Sequence, residues 1–138
     1  MADWLVPSLL AAGFIGVLFA KAYRNTQRMV ARTRQRRPNP TQSEFIAMLS
    51  RDVNPETAEF VWFSTIEYLQ PWQLTPHPDD HLSGDLPIDD DEPAMDWMPR
   101  YAEFYGANWK IWPQWPKHWE GTVRNFARWL ELGLSQQV

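Results

Sequence analysis

The chain contains no cysteine, so disulfides, thiolate nucleophiles and CxxC metal or redox motifs are excluded. It has 6 glycines among 138 residues, and none of them forms a phosphate-cradling loop. No Ser–His–Asp arrangement is visible, no stretch alternates as a strand does, and no segment repeats. No acidic residue occurs between Lys21 and Arg37, and no basic one precedes Lys21. These absences leave no recognisable catalytic apparatus and no bound cofactor to expect, so a non-enzymatic role is the expectation.

Aromatics and proline are plentiful, with 9 Trp and 12 Pro. A small domain needs a large apolar contribution from each residue, and aromatic side chains supply it. The formal charge of −4 conceals a division. Lys21 to Arg37 carries seven basic residues. From Pro38 onward there are 16 acidic and 6 basic residues, a difference of −10. A nucleic-acid-binding domain carries its basic charge on the folded part. Here that part repels phosphate, which excludes a nucleic-acid partner.

Trp4 to Ala20 is uncharged, and extending it to Tyr23 gives roughly 30 Å of helix at ~1.5 Å per residue. That length matches the hydrocarbon core of a bilayer. Trp4 and Tyr23 mark its ends, where amphipathic rings favour the interface, and Lys21 can extend its ammonium to the headgroups. Pro7 falls near the first turn, where a missing N–H costs little. The positive residues follow the span, so the expected topology is N-terminus out and C-terminal domain in the cytoplasm, at a bacterial inner membrane. Arg24, Arg28 and Arg32 form one stripe if the helix continues, each worth about 1 kcal/mol against anionic headgroups. A cleaved signal peptide is the rival reading, because Ala20-Lys21-Ala22 has the small-x-small pattern. An uncharged leading segment and a basic flank oppose it. A buried soluble helix is a further alternative. Ala11, Ala12, Gly13 and Gly16 would allow close approach of another span, as in a structural subunit of a membrane complex.

The expected organisation is an anchor over 1–23, a basic juxtamembrane neck over 24–40 and an acidic helical domain over 41–138. Pro38 and Pro40 end the neck. Thr41-x-x-Glu44 reads as a capping box opening a helix to about Asp52. Asn54-Pro55 opens a second, with Ala58, Val61, Trp62, Thr65, Ile66 and Leu69 on one face, ending before Pro71. Residues 70–87 read as a long ordered loop. A helix from about Asp89–Asp91 to Gly106 carries the stripe Ala94, Trp97, Met98, Tyr101, Phe104 and Tyr105. Pro99 should kink it, at ~3 kcal/mol in an exposed host. The last helix is expected from about Lys117 to Leu132, with Trp119, Val123, Phe126 and Leu130 inward and Gly133 as its C-cap.

Asp85-Leu86-Pro87-Ile88-Asp89-Asp90-Asp91 resembles the D-L-G-x-D-S-L pattern that opens the second helix of acyl carrier proteins. Ala102-Glu103-Phe104-Tyr105 is similar to that family's E-x-x-F segment, and Thr122-Val123 to the T-V before its final helix. The likeness covers roughly residues 55–134 and implies an all-α, acyl-carrier-like bundle. It is closest to a bacterial group whose helix opens on an Asp-rich run. The position of the family's phosphopantetheine serine is Asp90, which has no hydroxyl to modify. Ser83 is nearby but precedes the pattern. The resemblance implies partner recognition through the acidic helix start, here Asp89, Asp90, Asp91, Glu92 and Asp96, by a protein with a basic surface. The alternative is that these acids only cap and solvate the helix. Carriage of covalent cargo on an unrecognised serine is the runner-up function.

Three other patterns are weak. His77-Pro78-Asp79-Asp80 resembles the H-P-D-D run of zinc-dependent deacetylases, which needs an α/β domain this chain is too short to hold. Asp79-x-His81-x-Ser83-Gly84 with Asp90 departs from a calcium loop at two ligand positions. Trp109, Trp112, Trp115 and Trp119 read as packing under a proline-rich loop or as an exposed docking surface. No metal site is expected from any of them.

Overall fold

The computed structural model describes residues 3–137. Their regular elements are all helical, with no strand among them beyond one isolated antiparallel bridge between His81 and Thr122. Helix α1 (Leu5–Arg36) is 32 residues long, and its most apolar 18-residue window has a mean hydropathy of 1.9 and no buried residue. It is the one described helix long and apolar enough to cross a membrane. It does not break at the end of the apolar run. It continues through the basic segment until Pro38, where the proline ring and its restriction on the preceding residue stop it.

Helix α2 (Gln42–Leu49) opens as its sequence requires. Thr41 Oγ1 accepts from the Glu44 N–H at 3.2 Å, and Glu44 Oε1 returns to the Thr41 hydroxyl at 3.2 Å. Helix α3 (Pro55–Leu69) starts on the proline at N1. The Asn54 side chain does not cap it; the Asn54 N–H instead donates to the Glu131 carboxylate. The inward face of α3 is the one its spacing predicts, with Ala58, Val61, Trp62, Thr65 and Leu69 buried and Ile66 half-buried.

Pro99 shapes the next element. A π turn (Pro93–Trp97) precedes helix α4 (Met98–Phe104), with Pro99 in the first turn of the α segment. The wider turn accommodates a residue that cannot donate to the ladder, so the expected kink takes the form of a π insertion. That insertion changes the register of the inward stripe. Trp97, Met98, Tyr101 and Ala102 are buried, whereas Ala94 and Phe104, expected inside, are exposed. Gly106, at φ +64°, closes α4 in the left-handed region, with the Ala107 N–H reaching Ala102 O at 2.8 Å.

Helix α5 (Val123–Ser135) begins six residues later than the sequence predicts. The His81–Thr122 bridge and the bond from Leu82 N–H to Gly121 O (3.0 Å) hold Thr122 extended. Thr122 then caps α5 by accepting from Asn125 N–H at 3.1 Å. Gly133 is not the C-cap expected of it. It lies inside α5, and a Cβ there would sit 1.9 Å from Cε2 of Trp112. Its lack of a side chain makes room for an indole.

Helix α3 packs against both α2 and α5, and α5 against α4. The interior is largely aromatic. Trp97 is fully buried and meets Tyr68 and Phe126 edge-on, each at 5.7 Å, while Phe45 of α2 tilts against Trp62 of α3 at 5.4 Å. Tyr101 shares a buried 2.9 Å hydrogen bond with Thr57, and burial pushes its phenol up to about 12 despite that bond. Val30 of α1 belongs to the same core cluster. The far end of the long helix is therefore part of the domain.

Candidate functional site

Two regions carry the candidate residues: the junction of α1 with the domain, and the acidic turn before α4. At the junction the basic residues divide by their place along α1. Arg24, Arg28 and Arg32 are exposed and form no hydrogen bond or ion pair among the described residues. Trp4 and Lys21 are likewise exposed. Tyr23 keeps most of its surface free but lays its ring 5.5 Å from that of Trp72, in the 3₁₀ turn Gln70–Trp72.

The next three arginines hold the domain, a role that sequence reasoning missed. Arg34 donates to the carbonyl of Trp72. Arg36 reaches Asp85 at 2.8 Å and Asp80 at 3.2 Å. Arg37, its side chain 9% exposed, grips Asp80, 1% exposed, through Nε (3.0 Å) and Nη2, and also donates to Thr75 O at 2.8 Å. Asp80 further accepts from His77 N–H at 2.9 Å, and its own carbonyl receives the Val123 N–H that opens α5. Asp80 thus ties α1 to the loop through its carboxylate and the loop to α5 through its backbone carbonyl. Burial raises the Asp85 carboxyl, but the Arg36 guanidinium and the His81 N–H outweigh it and hold the group below the usual carboxylate range. Thr33 completes the contact by donating to Asp85 O at 2.6 Å. The sequence did carry a signal. Arg34 and Arg37 break the four-residue spacing that Arg24, Arg28, Arg32 and Arg36 share, and the loop acids offered Arg36 and Arg37 partners.

The same contacts account for the H-P-D-D run. Asp80 belongs to Arg37 and Arg36, and Asp79 to Arg124, which also holds Asp52. Among the described residues no group of three His, Asp or Glu side chains is placed to hold a metal ion.

At the acidic turn, Asp89 O accepts from Glu92 N–H at 3.2 Å and Asp91 O from Met95 N–H at 2.8 Å, so these residues lead directly into the π turn. The five acids singled out divide into two groups. Glu92 accepts a hydrogen bond from the Tyr68 phenol; that bond, with burial and the nearby negative charge, pushes Tyr68 up to about 12. Asp96 pairs with Arg100 at 2.9 Å one turn along. Asp89, Asp90 and Asp91 are exposed, and none pairs with another side chain among the described residues. Asp90 stands at the rim of an open cavity of about 400 Å³ walled by Leu82, Pro93, Ala94, Trp115, Phe126 and Trp129. Ser83 lies on the same rim.

The chain matches no protein-family model, and no curated protein or solved structure is significantly similar to it.

The tryptophan run also divides. Trp112, Trp115 and Trp119 pack half-buried against the core, Trp115 donating its indole N–H to Trp119 O at 3.0 Å. Arg128 stacks its guanidinium 4.3 Å from the Trp119 ring. Trp109 is exposed, as are Phe63 and Phe104, which border a second open cavity of about 450 Å³ with Phe60, Tyr105, Glu56 and Glu59.

Proposed function

We propose that the chain is a non-catalytic, membrane-anchored adaptor. In this reading α1 spans the inner membrane with its N-terminus outside and holds an acyl-carrier-like helical domain at the cytoplasmic face, where it docks a protein with a basic surface. The observation that carries the reading is the two-part character of α1: an apolar half that no part of the domain covers, continuous with a basic end whose Val30 and Thr33 are buried in the domain. An uncovered apolar helix of this length needs a lipid environment or other spans around it. The basic end fits the inner leaflet, and the acidic domain fits the side of the membrane to which positive flanks are retained.

Asp89, Asp90 and Asp91 are the docking residues in this proposal. The acids of the junction already have arginine partners, whereas these three consecutive carboxylates have none among the described residues, and the apolar cavity beside Asp90 offers a place for an anchoring side chain. Charge complementarity of this kind sets encounter rate and partner choice more than raw affinity. Reversing Asp90→Lys and Asp91→Lys together is expected to abolish co-purification of the partner from mild detergent while leaving the helical content intact. Undiminished capture by the folded double variant would end the docking proposal.

A second reading is favoured by one observation, the position of Ser83 on the rim of that cavity. A domain of this kind with a modifiable hydroxyl beside an apolar cavity could carry covalent cargo. Intact mass after co-expression with a phosphopantetheinyl transferase separates the two: an added prosthetic group supports the carrier, and an unchanged mass supports the adaptor.

A further inference from the structure

The domain does not hang freely below its anchor. The Arg37–Asp80 and Arg36–Asp85 pairs, with the Arg34 bond to Trp72 O and the Asn39 bond to Gln73 O, fix the lower end of α1 on it, and the Trp72 ring reaches up to lie 5.5 Å from that of Tyr23. Tyr23 and Arg36 are thirteen residues apart, roughly 20 Å along a helix rising ~1.5 Å per residue. The Trp72 ring therefore stands beside Tyr23, where the apolar run ends, and the Arg36 contacts lie about 20 Å further along α1. Trp72 closes the 3₁₀ turn Gln70–Trp72, in which Gln70 and Pro71 are exposed. Trp72, Pro71 and Gln73 line a crevice against Tyr23, Gln27 and Val30 of α1.

We infer that the turn Gln70–Pro71–Trp72 is a second membrane contact, seated in the headgroup layer of the leaflet from which α1 emerges. The inference rests on α1 being a membrane span. The headgroup layer is roughly 5–8 Å deep on each side of the hydrocarbon, so a ring beside Tyr23 falls within it. Trp and Tyr are the side chains that favour that depth, with an apolar body and a polar N–H or O–H. No charged residue lies in the turn, which would otherwise prefer water. The exposed stripe Arg24, Arg28 and Arg32 supplies cations to the same anionic lipids along α1. The combination of a span, an aromatic lip and an arginine stripe fits one occupant, the anionic headgroup surface. It sets a fixed orientation of the domain on the membrane.

The absence of cysteine makes the test direct, because one introduced thiol is the only label site. The full chain, in bilayer discs of phosphatidylethanolamine and phosphatidylglycerol, carries a nitroxide at Phe14→Cys in the apolar run, at Pro71→Cys in the turn, or at Ser83→Cys, near Asp85. Accessibility to oxygen, which partitions into lipid, and to a water-soluble nickel chelate gives the depth of each. Phe14 should read as hydrocarbon, Ser83 as water, and Pro71 as headgroup, with nickel accessibility several-fold below that of Ser83. If Phe14 lies in hydrocarbon but Pro71 is as open to nickel as Ser83, the membrane contact is overturned while the anchor stands. If Phe14 itself is open to nickel, the anchor fails and the contact with it.

Discussion

Replacing Asp80 by alanine is expected to destabilise the domain by about 3 kcal/mol, because it strands a buried guanidinium. Arg37 keeps hydrogen bonds to Thr75 O, Pro38 O and Asn39 Oδ1, but these are neutral acceptors and do not balance its charge. The same change removes the acceptor for His77 N–H, and Asp80 is 1% exposed, so water cannot take its place. The Arg36–Asp85 pair survives in this variant. Arg37→Met together with Asp80→Ala should recover part of the loss, since the penalty comes from one unpaired charge rather than from a missing attraction. Asp96→Ala, which breaks the half-exposed pair with Arg100, is the control, with an expected cost of at most about 0.5 kcal/mol. Denaturant titration of the full chain in detergent, followed by tryptophan fluorescence, measures all of them. A cost for Asp80→Ala no larger than the control's would mean that Asp80 does not hold the junction.

Gly133→Ala should destabilise the domain although it replaces glycine in mid-helix. Intrinsic helix propensity favours alanine there by about 1 kcal/mol. Sterics decide the opposite way, because the new Cβ would lie 1.9 Å from Cε2 and 2.1 Å from Nε1 of Trp112. That indole cannot swing aside cheaply. Trp112 meets Tyr101 edge-on at 6.3 Å and 90°, and its N–H is already buried without a partner. Overpacking of this kind costs about 3 kcal/mol at the upper end of its usual range. The net loss of about 2 kcal/mol corresponds to roughly 10 °C in Tm for a domain of this size. In a Trp112→Ala background the sign should reverse and Gly133→Ala should be neutral or stabilising. A raised Tm in the native background would show that the close approach of Trp112 is not a constraint.

Where local chemistry decides, the sequence was legible. The Thr41–Glu44 cap, the proline start of α3, the inward face of α3 and the left-handed Gly106 all follow from residue type and spacing. What it did not reveal depends on contacts between distant segments. The start of α5 is set by pairing with His81, forty-one residues away in sequence, which overrides the helical periodicity of Trp119. Gly133 looks like a helix stop to any local rule, and only the indole packed on it shows otherwise. The π turn was legible in its cause, Pro99, but not in its form, so two positions of the inward stripe came out exposed.

The candidate site divides along the same line. The aromatics and arginines proposed to meet the membrane are ordered along the N-terminal segment and can be named from spacing alone. The roles of Arg34, Arg36 and Arg37 needed the fold, because their partners, Trp72 O, Asp80 and Asp85, lie more than thirty residues downstream. Likewise, five acids that look alike in sequence differ once Tyr68 and Arg100 are seen beside Glu92 and Asp96.

Protease accessibility of a C-terminal epitope tests the central claim most directly. In intact spheroplasts, added protease should leave the epitope untouched, and in inverted membrane vesicles it should remove it, with the chain sedimenting in the membrane fraction throughout. Digestion in spheroplasts, or recovery of the full-length chain in the aqueous fraction, would contradict a domain clamped beneath its own span.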